Sequence, residues 1–353
     1  MDDRILALDI GGANIKSACN DGWTCSDAFA VWQNREGLSE ALLHVIEKSE
    51  QGKKKINTIL VTMTAELCDC YESKEQGVNH VLDCLTKAAD DREIWVYLTG
   101  GMFVRVDQAK QRYLLAGASN WDALGRCAGQ IYHQGRVLVM DMGSTTTDLI
   151  LLKEGKVLTQ GRNDLERLKY GELVYVGCRR TALMALGGQV EIESPDQKQQ
   201  IVFNVMAEHF ADMDDVLILL GIKKPSADDF TSADGRARDV QGAWGRVVRM
   251  IGGDRQMVDL KMAKKIALGF LELLGQRLMD NLEKILDLKN SKPVDEIVLS
   301  GEGSTLLGDL LAEVFAGIKI SKIADRIGNP ATISSCGVSL ITLFEMEQSN
   351  DKT

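Results

Sequence analysis

The chain has 353 residues, 45% of them hydrophobic and 26% charged, and carries a formal net charge of -10. That length admits two domains with a large core, and the balance is that of a globular protein. The excess of acid excludes nucleic acid and anionic membrane as main partners, although a nest of amides with one lysine still holds a small anion within an acidic protein.

No apolar run reaches the roughly 20 residues of a membrane helix. The chain opens as MDDRILALDIGG, acidic residues leading straight into a strand, with no signal peptide expected. Eight cysteines (Cys19, Cys25, Cys68, Cys70, Cys84, Cys127, Cys178 and Cys336) follow no disulfide spacing. A reduced, cytoplasmic setting is expected.

In chain order, RILALDI (4–10) and NIKSAC (14–19) read as a hairpin around the first glycines. GLSEALLHVIEKSE (37–50) puts Leu38, Leu42, Val45 and Ile46 on one helical face. The apolar runs at 56–64, 93–101 and 136–144 are strands ending in polar or glycine turns, and 118–133 is a helix before the last of them. From about Val137 the opening grammar repeats, as VLVMDMGSTTTDLILL. A polar insertion follows at 222–239, then a long amphipathic helix at 260–286 and a strand, glycine turn and helix at 294–315. Alternating strands and helices predict an α/β fold with a duplicated lobe, divided at 1–135 and 136–353 around a cleft.

Three turns carry the chemistry. In DIGGANIK, Asp9 closes a strand, Gly11 and Gly12 permit positive φ and close approach, and Asn14 and Lys16 share a strand face from which Lys16 reaches back as a charge. The plain alternative is a hairpin with an edge lysine. In DMGSTTTD, the amides and hydroxyls of Gly143, Ser144, Thr145 and Thr146 suit phosphate. Asp9 and Asp141 suit a hydrated Mg²⁺, and Asp148 is a candidate base. The third turn, LSGEGSTLL, sets Gly301, Gly303 and Ser304 before a helix, an arrangement that offers free N–H groups to an anion or a flat surface to a base. Glu66, after the strand at 56–64, lines the cleft or simply starts a helix. Arg180 and Thr181 precede an apolar run read as a helix, where they meet phosphate or carboxylate, or are solvated charges.

These turns resemble the phosphate loops of the acetate-kinase, sugar-kinase, heat-shock-70 and actin superfamily. The resemblance implies two ribonuclease-H-like lobes around a central cleft, with Mg²⁺ and a nucleotide such as ATP, or another diphosphate, between them. VTMTAELCDCYESKEQGV (61–78), ASNWDALGRCAG (118–129) and GRNDLERLKYGELVYVGCRRTALMAL (161–186) are similar to the hydantoinase/oxoprolinase branch. More narrowly, they resemble the archaeal and methylotroph proteins of tetrahydromethanopterin-linked one-carbon metabolism. That likeness implies a transferase of methanofuran-type cofactor synthesis, joining an aminomethylfuran diphosphate to the phenol of a tyramine derivative with loss of diphosphate. An ATP-dependent hydrolase or kinase is the alternative, and a nucleotide-switched binding protein a further one.

Overall fold

A computed structural model describes residues 3–194, 199–286, 294–312 and 314–350. Strands β1 (Ile5–Ile10), β2 (Asn14–Cys19), β3 (Thr24–Ala28), β4 (Thr58–Met63), β5 (Glu93–Leu98) and β6 (Met102–Val104) form one sheet in the order β3-β2-β1-β4-β5-β6. The first three run antiparallel, and β1, β4 and β5 are parallel. A second sheet comes from β7 (Arg136–Met142), β8 (Thr147–Lys153), β9 (Lys156–Val157), β10 (Leu173–Val174), β13 (Glu296–Ser300) and β14 (Lys319–Lys322). Its order is β10-β8-β7-β13-β14, with β9 on the flank of β8. Both sheets therefore share one plan, an antiparallel hairpin whose first strand continues into a parallel series. Two ribonuclease-H-like lobes of the actin-like kind follow from that order.

Each sheet is apolar on both faces because helices cover both. Along β1, Leu6, Leu8 and Ile10 pack under the helices Leu38–Glu50 and Lys74–Ala89. Ile5 and Ala7 face the other way, onto Leu340, Ile341 and Phe344 of the helix Ala331–Asn350. The last long helix thus returns to cover the first sheet. In the second sheet, Leu138, Met140 and Met142 join the core of the helix Leu260–Ile285, while Val137 and Val139 meet the helix Asn120–Ile131. The helices Asn120–Ile131 and Ala331–Asn350 pack together between the two sheets.

This alternation places the acids. Asp9 continues the Ile5–Ala7 row and Asp141 the Val137–Val139 row, so each carboxylate ends an apolar stripe at its strand tip and faces the helices between the lobes.

One local expectation changes. The stretch after Arg180 is no helix but a single 3₁₀ turn, Leu183–Ala185, followed by an unforeseen hairpin of β11 (Gln189–Glu193) and β12 (Gln200–Asn204). The polar run 222–239 is a largely exposed loop, as read, with one inward anchor. Arg238 turns inward to grip Asp212 through both guanidinium nitrogens at 2.8 Å, and Arg246 holds Asp215 and Asp234.

Candidate active site

The two strand–turn–strand units share one pairing register. Asp9 lies directly across from Lys16, and Asp141 across from Asp148, seven residues apart in each lobe by subtraction. Gly11 N–H donates to the Asn14 carbonyl at 2.9 Å, and Gly143 N–H to the Thr146 carbonyl at the same distance. The duplication holds down to one turn geometry, with a lysine where the other copy has an acid.

The turns are also tied back alike. Phe29 and Val31 donate their amides to the carbonyls of Ala13 and Gly12. Cys178, Arg179 and Arg180 donate theirs to Gly143 and Ser144, at 2.8–3.1 Å. The carbonyls of these turns are thus occupied, as are the Gly11 and Gly143 amides, while the amides of Gly12, Ala13 and Ser144 donate to no other loop carbonyl among the described residues and suit a nest for phosphate oxygens.

Glycine serves here through space rather than through φ. Gly11, Gly12 and Gly143 all have negative or extended φ, which corrects the expectation of positive φ at Gly11 and Gly12. A Cβ at Gly11 would lie 2.9 Å from the Asn14 carbonyl, and one at Gly12 would lie 2.8 Å from Cys68 Sγ.

A cavity of about 310 Å³ joins these parts. Its floor holds Asp9, Gly11, Gly12, Asn14, Lys16, Asp141, Gly143, Ser144, Thr145, Thr146 and Asp148, so the first two turns converge as expected. Arg180 is at its rim. The third turn and two of the candidate substrate residues are not among the lining side chains. At Gly301, with φ +81°, an added Cβ would run into the Met142 carbonyl and lie 2.7 Å from Asp141 Oδ1, and Gly303 N–H donates to that carbonyl at 2.9 Å. With Ser304 starting the next helix, this turn buttresses the end of β7 from behind. Thr181 turns inward and exchanges hydrogen bonds with Gly177. Glu66 is buried in the 3₁₀ turn Ala65–Leu67, 3.6 Å from Lys74 Nζ, which in turn donates to the cavity's Asp164 at 2.9 Å.

Several lining residues had no signal in the sequence. Arg167 is buried, stacks 4.0 Å over the Trp121 ring and donates to Asp148 Oδ1. Trp32 and Tyr175 form aromatic walls, and Ser335 and Cys336 enter from the start of the last helix. They come from distant segments with no shared spacing. Only the quoted family stretches, which contain Trp121, Arg167 and Tyr175, pointed near them.

Electrostatically the floor is strained. Burial pushes the Asp9 carboxyl up to about 6, Lys16 pulls it down, and Asp141 and Asp148 push it further up. Burial also raises Asp141 and Asp148. Burial works against the Lys16 ammonium, but Asp9, Asp141 and Glu302 outweigh it and hold its pKa above the ordinary value. Asp9 Oδ1 and Asp141 Oδ1 are sealed from water without a hydrogen-bond partner. Orphaned buried carboxylate oxygens are costly and call for a cation. Among the described residues no three acidic, histidine or cysteine side chains converge on one point. Two carboxylates, with water and phosphate oxygens completing the shell, are the donor set that Mg²⁺ accepts.

The fold defines a two-lobed protein of actin-like plan, with a cavity lined by the turns of both lobes. The sequence profile of the hydantoinase/oxoprolinase family matches residues 57–345, and the chain belongs to that family. A curated relative from Methanocaldococcus jannaschii, named (4-{4-[2-(gamma-L-glutamylamino)ethyl]phenoxymethyl}furan-2-yl)methanamine synthase, is 30% identical over 352 residues, covering 97% of this chain and 98% of that one. The protein of the same name from Methanococcus vannielii is 28% identical over 214 residues, covering 60% of this chain and 91% of its own. Among solved structures, MreB5 of Spiroplasma citri bound to ADP aligns over 99% of this chain and 98% of its own at 11% identity, with a TM-score of 0.47. Likeness that slight adds nothing to the strand order, on which the fold rests. No helix among the described residues is long and apolar enough to cross a membrane.

Proposed function

We propose that this protein is a transferase that forms an aryl ether, joining the methylene carbon of an aminomethylfuran diphosphate to a tyramine-type phenol in the making of a methanofuran-type cofactor. The observation that carries this reading is the 30% identity with the synthase over 97% of the chain. The printed product of that relative contains a phenoxymethyl-furan ether, the bond such a reaction would make.

In the proposed reaction the furfuryl C–O bond breaks, and its electron pair leaves with diphosphate. The furan ring stabilises the cationic carbon while the phenol oxygen bonds to it. The two turns, through the amides not spent within them, and Lys16 bind the departing diphosphate and stabilise its growing charge. Asp9 and Asp141 would hold Mg²⁺, which supplies further positive charge against the leaving group. Asp148, positioned by Arg167, takes the phenolic proton. Trp121, beneath Arg167, shields the reacting carbon from water. The eight free cysteines support a cytoplasmic setting for this chemistry.

The test is incubation of the protein with an aminomethylfuran diphosphate, a tyramine acceptor and Mg²⁺, without nucleotide. Ether and diphosphate are expected in equal amounts. Asp9→Asn and Lys16→Ala should each slow turnover by about 10²-fold, the usual scale for a lost charge-stabilising contact. Product that forms only when ATP is hydrolysed would favour the ATP-dependent chemistry instead.

A further inference from the structure

Glu66 is 1% exposed, and neither of its carboxylate oxygens has a hydrogen-bond partner among the described residues. The fold clears room for it. A Cβ at Gly117 would lie 2.9 Å from Glu66 Oε1, and one at Gly77 would run into the Glu66 carbonyl. A buried acid in that state calls for a cation, and Lys74 Nζ lies 3.6 Å away. Lys74 opens the helix Lys74–Ala89, where its charge opposes the positive end of the helix dipole. The helix gains nothing from a lysine there, so its use lies in what it reaches.

The Lys74 ammonium crosses to the second lobe and donates to Asp164 Oδ2 at 2.9 Å. Burial works against that charge, but Asp164 and Glu66 outweigh it and hold the Lys74 pKa above its ordinary value. Asp164 begins the helix Asp164–Tyr170, and Arg167 lies three residues on, one turn along the same side. Arg167 donates to Asp148 Oδ1, while Asp148 Oδ2 accepts no hydrogen bond among the described residues. The carboxylate assigned to the phenol's proton is thus aimed by a helix of the second lobe whose first turn is pinned by the first lobe. A helix of 7 residues holds its place through its contacts rather than by itself, so a pin at its opening turn bears on where Arg167 points.

We propose that Lys74, seated on Glu66, is a positioning residue for proton removal. By holding Asp164 it fixes the helix whose Arg167 aims Asp148 at the phenol, so the base is set only where the two lobes meet. This rests on the ether-forming reading above and adds to it a residue that does not line the cavity.

The test compares two acceptors with the furan diphosphate and Mg²⁺ at one pH. They are γ-glutamyltyramine and its counterpart fluorinated beside the phenol oxygen. An ordinary phenol titrates at about 10 and needs a base, whereas ring fluorine acidifies it enough to ionise unaided. In Lys74→Met, kcat with γ-glutamyltyramine should fall about tenfold or more, the scale of a small misplacement at the reacting centre. KM for the furan diphosphate should stay at the wild-type value. The fluorinated acceptor should bring the variant back close to wild type, as it should Asp148→Asn. Lys74→Arg should keep most of the activity. Asp164→Asn should repeat the Lys74→Met pattern, and it carries the comparison where Lys74→Met does not fold. A merely structural lysine would lower both acceptors equally, and that result would overturn the proposal. So would a wild-type kcat in Lys74→Met, and so would an Asp148→Asn variant left unrescued. If wild type makes no ether from either acceptor, the ether-forming reading itself fails and this role falls with it.

Discussion

At the scale of single residues, the cleft is built from groups held in costly states. Glu66 is the clearest titratable case. Burial raises its carboxyl to about 7 from 4.5, with Lys74 pulling down and Asp164 pushing up. The folded state therefore holds the proton more tightly than the unfolded chain. Glu66's contribution to stability is fully present below pH 4.5, and it is lost as pH rises through about 7. Glu66→Gln should match wild type near pH 4.5 and be more stable at pH 8, by about 1–3 kcal/mol in urea denaturation. A variant less stable than wild type at pH 8 would mean that the pairing with Lys74 outweighs the burial. How such residues were legible differs from case to case. Asp9, Lys16 and Asp141 announced themselves because a carboxylate breaking an apolar strand before a glycine is a local anomaly. Arg167, Trp121 and Cys336 did not, since only tertiary packing brings them to the same wall.

Among the elements, the second turn depends on a glycine that carries no phosphate. A Cβ at Gly177 would lie 2.5 Å from the Thr145 nitrogen and 2.6 Å from the Gly143 carbonyl. The 177–180 segment is thus pressed against the turn, and its amides hold the turn's carbonyls. Gly177→Ala should push Gly143–Thr145 out of place. About 1–3 kcal/mol of stability should be lost, the usual cost of overpacking a fitted contact. Affinity for Mg²⁺ with inorganic diphosphate should fall at least tenfold by calorimetry. Unchanged affinity in the folded variant would mean that the segment does not shape the nest. The duplicated hairpins were readable from strand, acid and glycine alone. For Gly11 and Gly12 the expectation of positive φ fails, because φ and crowding leave the same residue in the sequence. The run after Arg180 looked helical by composition, yet it forms one 3₁₀ turn before a hairpin whose exposed strand positions are polar except at Val202.

Across the whole molecule, two copies of one sheet plan face each other, and contacts such as Lys74 with Asp164 and Arg180 with Trp32 bridge the cleft. That architecture was legible from the repeat, because two strands of the same grammar bury alike. The return of the helix Ala331–Asn350 to the first sheet was not, since nothing local marks which sheet a helix will cover. The copies differ where it matters chemically, with Lys16 in one lobe at the register position that Asp148 holds in the other. An acid–base asymmetry on one floor suits displacement of a phosphate-bearing leaving group, with positive charge for the diphosphate and a carboxylate for the phenol's proton. Phosphoryl transfer from the same floor would break a different bond, P–O rather than C–O. The direct measurement is turnover of an aminomethylfuran diphosphate labelled with ¹⁸O in the bridging C–O–P position, in the presence of Mg²⁺ and a γ-glutamyltyramine acceptor. Attack at carbon sends the label out in the released diphosphate, with an unlabelled ether oxygen supplied by the phenol, and that is the expected result. Label retained on a furan methanol, with phosphate transferred elsewhere, would contradict the account.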